Sequence, residues 1–319
     1  MMARARHWSQ VGEVGAVSLA WIMYAIHNVA GRLPFRLVLY PVVAVYWLAY
    51  PAARAASLDY LRKLERATGA LGHEPGWRDT MRHFLSFGET LLDKMLAVGG
   101  RYRFDRLRFV GRDVLQAQMA TGRGALLVTA HVGCLEMCQA LADAPHLKLT
   151  VLVHTLNAVA FNRLLERLRP DRSVTLLQVT EMTPATAVML SQRIESGEFV
   201  AIAGDRVALE AGRGSCVDVP FLGAPAPFPT GAYVMAALLK CPLMMMGCIR
   251  QGRGHEVVFE QIAPSVVLPR GDRLGACQGY AADFARRLEG LLARAPFEWF
   301  NFFAFWDQPG GAAAPTMHE

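Results

Sequence analysis

Several things are scarce or missing in this chain of 319 residues, and each removes a class of function. Lysine is almost absent: Lys63, Lys94, Lys148 and Lys240 are the only four, so the basic side chains are nearly all arginine. No basic stretch is interleaved with aromatics, which argues against a nucleic-acid partner. No G-x-S-x-G elbow occurs, which argues against a serine hydrolase with a covalent acyl-enzyme. No G-x-G-x-x-G and no P-loop signals a dinucleotide or nucleoside triphosphate. The six cysteines (134, 138, 216, 241, 248, 277) form no C-x-x-C pair and lie among apolar neighbours. They read as reduced core thiols in a cytosolic protein, with neither a disulfide frame nor a metal site. Internal repeats and low-complexity linkers are also missing.

What is present is apolar and basic. Hydrophobic residues make up 53% of the chain and the formal charge is +6. One large core is expected, together with an anionic partner such as a phospholipid surface, an acidic carrier protein or coenzyme A phosphates. Two apolar stretches, Val14–Ala30 and Leu37–Ala53, are each about 17 residues long, short of the ~20 a bilayer span needs. Arginines mark every junction: Arg4 and Arg6 before, Arg32 and Arg36 between, Arg54 and Arg62 after. A two-span hairpin would place Arg32 and Arg36 outside, against the positive-inside tendency. A hairpin lying in the membrane plane keeps them all on the cytoplasmic side.

From Arg103 onward the pattern alternates. Strand-like runs are Arg103–Val110, Ala125–Thr129, Leu147–His154, Ser173–Val179, Glu198–Ala203, Cys216–Phe221, Pro242–Arg250 and His255–Gln261. Helical runs are Arg112–Ala120, Gly133–Leu141, Val159–Leu168, Pro184–Glu195, Thr230–Leu239 and Leu274–Ala293, preceded by Ser57–Gly69 and Trp77–Val98. The expected fold class is α/β: a mostly parallel central sheet with helices on both faces, preceded by an apolar, membrane-associated helical region. The expected division is 1–56 for that region, 57–306 for the α/β domain with 57–100 as its helical lead-in, and a disordered Gly/Ala/Pro-rich tail over 307–319.

The chemistry centres on Gly124–Leu141, GALLVTAHVGCLEMCQAL. A buried strand ends at Thr129 and feeds a polar loop and then a helix, which is where open α/β sheets place ligands. His131 lies in that loop, and Glu136 is expected in the first helical turn behind it. With His131 in the loop the two side chains can meet, and a carboxylate on one imidazole nitrogen makes the other a general base. His255 and Glu260 repeat the spacing, but on a strand, where positions five apart face opposite ways. A histidine simply satisfied at a strand end is the competing reading of His131.

Asp205 and Arg206 follow a second strand, FVAIA, so they too stand at a carboxyl end. Arg206 can hold a phosphate or a developing oxyanion, or the two can form a structural pair. Phe221–Gly231, FLGAPAPFPTG, looks too proline-rich for regular structure and ends with Thr230 as a helix cap. Cys134 is a candidate acyl acceptor, but no second group is evident to lower its pKa.

Four segments in order, HVGCLE, FVAIAGDRV, CVDVPFLGAPAPFPTGAYVMAALLKCP and APFEWFNFFAFW, resemble the bacterial lysophospholipid/lipid A acyltransferase superfamily, in particular its late lipid A acyltransferase-like branch. The resemblance implies transfer of a fatty acyl chain from a thioester, on acyl carrier protein or coenzyme A, to a hydroxyl or amine of a membrane lipid or glycolipid. The thioester is then a co-substrate, with no cofactor and no metal. It implies work at the cytoplasmic face of the bacterial inner membrane, by a peripheral protein. It casts His131 as base with Glu136 behind it, and Gly133, Asp205 and Arg206 as oxyanion, phosphate or substrate-binding residues. Phe221, Gly223, Thr230 and Gly231 then shape the pocket, and Asn157 and Asn162 lie on a loop touching the acceptor. The competing function is a non-catalytic lipid-binding or assembly protein that retains this fold.

Overall fold

A computed structural model describes residues 13–138, 148–153, 174–178, 183–207, 214–252 and 254–307. Four helices come first: α1 (Glu13–Ala30), α2 (Arg32–Ala49), α3 (Pro51–Thr68) and α4 (Trp77–Val98). Then follow β1 (Leu107–Val110), α5 (Arg112–Ala120), β2 (Leu126–Thr129), β3 (Leu149–Val153), β4 (Val174–Gln178), α6 (Pro184–Glu195), β5 (Phe199–Ala203), β6 (Cys216–Phe221), β7 (Ala224–Pro229), α7 (Gly231–Leu238), β8 (Leu243–Gln251), β9 (Gly254–Ala263) and α8 (Arg273–Arg294).

The main sheet has the order β1-β9-β8-β2-β5-β3-β4. β8, β2, β5, β3 and β4 run in one direction; β9 turns back on β8, and β1 follows β9. β2 is buried at every position, and its side chains alternate between two cores. Leu126 and Val128 join a cluster with Leu190 and Ile194 of α6, Tyr233 of α7, Phe284 and Leu288 of α8 and Tyr60 of α3. Leu127 points into the opposite cluster with Leu115 of α5 and Ala97 of α4. Helices cover both faces, as a near-continuous apolar parallel strand requires.

Local signals set the helix ends. α6 starts at Pro184 behind Thr183, whose hydroxyl accepts from Thr186 N at 3.2 Å; α3 starts at Pro51 and stops at Gly69, φ 66°. Two expectations are corrected. Phe221–Gly231 is regular after all: β6 and β7 form a hairpin around Leu222 (φ 51°) and Gly223 (φ 79°). In its register Pro220 faces Pro225, Pro227 faces Asp218 and Pro229 faces Cys216. Every proline therefore occupies the alternate pairs that exchange no N–H, so none removes a ladder bond. Of the helix expected over Gly133–Leu141, the described part, up to Cys138, is a 3-10 turn at Leu135–Cys138; 139–147 lie outside the described residues. Val159–Leu168 and the tail from 308 also fall outside them.

α2 runs antiparallel to α4, fastened near both ends. Arg32 and Arg36 reach Glu89 at 2.9 and 2.6 Å, while Trp47 Nε1 donates to Thr80 at 3.0 Å. Between them Phe35, Leu39 and Val43 meet Leu92, Met95 and Leu96. The outer side of α2 carries exposed Leu33, Leu37 (74%), Val45 and Leu48, and α2 is long and apolar enough to cross a membrane. Arg250, at the end of β8, joins Glu89 and the fully buried Asp93, each at 2.7 Å. Burial alone would raise the Glu89 carboxyl, but the Arg36 hydrogen bond and the charges of Arg250 and Arg32 bring it down to about 2. Its contribution to stability is therefore full above pH 4.5 and fades as pH falls toward 2. Arg250→Met takes away the closest partner of the buried Asp93 carboxylate, leaving Arg32 at 3.3 Å, and is expected to cost about 3 kcal/mol. Arg36→Ala, at a surface position, costs under about 1 kcal/mol; urea unfolding in detergent reads both.

Candidate active site

The chain between β2 and the 3-10 turn is stitched to the protein's closing segment. Phe300 N donates to His131 O at 2.9 Å, Gly133 N donates to Glu298 O at 2.8 Å, and Val132 bridges Trp299 antiparallel. Gly133 has φ 54°, and a Cβ there would lie 1.9 Å from Cys248 O. Only glycine lets this loop pass so close to β8.

β5 lies beside β2, with Thr129 level with Ala203. Two residues farther along each strand, His131 and Asp205 come level as well. Asp205 Oδ1 meets His131 Nδ1 at 2.7 Å. Its Oδ2 accepts from His131 N (2.8 Å), Trp299 Nε1 (2.9 Å) and Asn301 Nδ2 (3.2 Å). The Asp205 side chain is wholly buried, whereas that of His131 is 36% exposed. An acceptor carboxylate on Nδ1 puts the proton there and leaves Nε2 with its lone pair. Among the described residues nothing hydrogen-bonds Nε2.

The electrostatics follow from this placement. Burial lowers the His131 pKa, the charges of Arg206 and Lys94 push the same way, and Asp205 opposes them. The net result is a pKa below 6.5, so the ring is neutral at pH 7. Burial would raise the Asp205 carboxyl, but the imidazole, the Arg206 charge and the bonds from His131 hold it well below the usual carboxylate range.

Glu136 is not the partner of His131. It pairs with Lys94 of α4 at 2.9 Å, and its second oxygen takes the Cys134 thiol at 3.7 Å. Two physical causes combine. The left-handed Gly133 and the 3-10 turn aim the carboxylate at α4 instead of back along the loop, and Nδ1 is already occupied by Asp205. Burial would lower Lys94, but Glu136 outweighs it and keeps the ammonium charged. Arg206 donates through Nε to Asn301 Oδ1 (2.8 Å) and through Nη2 to Phe300 O (2.9 Å). Cys134 is buried, and burial pushes its thiol pKa well up, the opposite of an activated nucleophile.

The structure thus brings His131, Gly133, Asp205 and Arg206 together, with Glu136 alongside through Lys94. Phe221 is fully buried, edge-on to Trp299 at 5.3 Å, and braces the residue that holds Asp205. Gly223 forms the hairpin turn. Thr230 and Gly231 start α7, with Thr230 donating to Gly214 O at 3.2 Å. Thr230 also lines a cavity of about 510 Å³ with Ser215, Arg273 and Cys277. Asn157 and Asn162 lie outside the described residues. His255 bonds Tyr102 while Glu260 pairs with Arg287, on opposite sides of β9. Among the described residues no three His, Cys, Asp or Glu side chains converge as a metal set. Sequence reasoning missed Lys94, Trp299 and Asn301 as parts of the site. The scarcity of lysine and the lone amide in an aromatic run were the signals available.

A family model for bacterial lipid A biosynthesis acyltransferases matches residues 92–307. The chain belongs to that family. The matched stretch of this acyltransferase-family chain contains every group just described, from Lys94 to Asn301. The chain is also 24% identical, over 196 residues, to the phosphatidylinositol mannoside acyltransferase of Mycobacterium tuberculosis strain ATCC 25618 / H37Rv, covering 61% of this chain and 58% of that protein. The same figures hold for the protein of that name from strain CDC 1551 / Oshkosh. The chain therefore spans somewhat over half the length of the curated relatives it matches.

Gly133→Ala forces a side chain into the Cys248 carbonyl at a positive φ, and is expected to cost more than about 2 kcal/mol. Gly223→Ala, also at positive φ but in open space, is expected to cost about 1 kcal/mol. Thermal unfolding of the two variants side by side checks the contrast.

Proposed function

We propose that this protein transfers a fatty acyl chain from a thioester, on acyl carrier protein or coenzyme A, to a hydroxyl or amine of a membrane lipid or glycolipid. The observation that carries the proposal is a solvent-reaching imidazole whose inner nitrogen is held by a buried carboxylate at the carboxyl end of β2. His131 Nε2 takes the proton from the acceptor as its oxygen or nitrogen attacks the thioester carbonyl. The tetrahedral intermediate collapses, the C–S bond breaks, and the imidazolium returns the proton to the leaving thiolate. Charge on the intermediate's oxygen develops near Arg206 and Lys94, the latter held by Glu136. The mycobacterial relatives are named as acyltransferases of a phosphatidylinositol mannoside, which supports a sugar-bearing lipid as acceptor.

The membrane side of the proposal rests on α2. Its apolar outer face is exposed, yet it is tied near both ends to α4, so it lies along the domain and its exposed face rests in the lipid surface as a monotopic contact. Arg32 and Arg36 are paired with Glu89, so Arg54 just beyond α2 and the net charge of +6 support the anionic cytoplasmic leaflet of a bacterial inner membrane as that surface. Residues 1–56 are the membrane-associating part and 57–306 the catalytic domain.

In vesicles supplied with labelled acyl thioester, His131→Ala and Asp205→Asn are expected to lower kcat/KM by about 10²–10⁴-fold; near wild-type turnover in His131→Ala overturns the base assignment. Glu136→Gln acts only through Lys94 and lowers it by about tenfold. Lipid binding without product across a panel of acceptors would favour the non-catalytic role. The base works in its neutral form, so kcat/KM holds at pH 7 and falls as pH drops through a value below 6.5; an acid limb centred above 7 contradicts this.

A further inference from the structure

Asp205 and Arg206 are adjacent, oppositely charged and sunk in the same site, the setting in which a carboxylate and a guanidinium ordinarily close on each other. They do not. Asp205 is paired with His131, and among the described residues no ion pair joins it to Arg206. Asn301 stands between them. Its Oδ1 accepts from Arg206 Nε at 2.8 Å and its Nδ2 donates to Asp205 Oδ2 at 3.2 Å. Arg206 has no acceptor and the ionised Asp205 has no donor, so only one orientation of the amide satisfies both. Asn301 is 1% exposed and lies in the run Trp299–Trp306, where every other residue but Ala304 is aromatic. Packing alone gives no reason for an amide there.

We propose that Asn301 is a positioning residue: its neutral amide separates Asp205 from Arg206, committing the carboxylate to His131 and the guanidinium to the closing segment. This rests on His131 being the base. A leucine of similar size would leave Arg206 free to fall onto Asp205, which would draw the carboxylate's field away from the imidazole. An aspartate would take Arg206 for itself and add a second negative charge behind the ring. The other charged groups around His131 are Arg206 from the β5 loop, Lys94 from α4 paired with Glu136, and Glu298 of the closing segment beside Gly133. Lys94 and Glu136 hold each other and Glu298 holds Ser86, contacts that either variant keeps, so Arg206 is the one charge whose partner changes.

The two variants therefore move His131 in opposite directions. Titration of full-length, histidine-labelled protein in detergent micelles by NMR reads this, with His131 assigned by its loss in His131→Gln. Asn301→Asp is expected to raise the His131 midpoint by about one pH unit, and Asn301→Leu to lower it. The acid limb of kcat/KM follows in the same sense. A midpoint that stays put in folded Asn301→Asp, or moves the same way in both variants, overturns the proposal, because a purely structural residue alters stability without this pattern. If Asn301→Leu does not fold, Asn301→Ala deletes the same amide, and the upward shift in Asn301→Asp decides the matter. The titration needs no turnover, so an active His131→Ala would overturn the base assignment while leaving this measurement readable.

Discussion

One carboxylate, Asp205, is the constraint around which the site is assembled. A buried aspartate left without partners would simply take up a proton, because removing a charge from water costs several kcal/mol. Here the charge is kept by donors from two distant parts of the chain: the loop after β2, through His131 N and Nδ1, and the closing segment, through Trp299 and Asn301. The closing segment is thus part of the site instead of a lid over a finished one. Its aromatics serve the same end. Trp299 is gripped by Phe221 and Phe305, and its carbonyl is held by His83 at 2.8 Å. His83 itself is neutral, burial having lowered its pKa to about 4.

A second charge cluster, built on the buried Asp93, performs a different task. Arg250, Arg32 and Arg36 meet Glu89 and Asp93 where β8, α2 and α4 converge. Glu298 sits between this cluster and the His131 loop, with its backbone oxygen on Gly133 N, its side chain on Ser86, and Arg250 at 3.9 Å. The helices with the exposed apolar face and the loop that carries His131 therefore share a wall. The proposed chemistry needs the acceptor's head group and the donor's thioester at one imidazole, and rigid attachment of α2 to the domain keeps lipid and base at a constant separation.

Much of the architecture was legible because it is written in local periodicity. Arg112–Ala120, Pro184–Glu195 and Trp77–Val98 occupy the residues their apolar spacing and end signals indicate. His255 and Glu260 were separable from His131 on strand geometry alone. Two readings went astray where local rules compete. The prolines of β7 looked like breakers, but they break a strand only at alternate positions, and Leu222 supplies an unusual non-glycine residue at positive φ in the turn. Glu136 looked like the partner of His131 because a helix was expected after Gly133. A carboxylate in a 3-10 turn beginning two residues after a left-handed glycine points elsewhere.

Sequence alone determined that His131 stands at the end of a buried strand, that Asp205 and Arg206 stand at the end of another, and that helices cover a mainly parallel sheet. Those facts follow from runs, alternation and caps, which involve residues a few positions apart. Tertiary structure decided which carboxylate serves the imidazole. β2 and β5 are neighbours in space but their paired positions are 74 residues apart in the chain, and only their register brings His131 level with Asp205. Hydrogen bonds reach about 3 Å, and periodicity along one strand carries no information about what lies that close on the next.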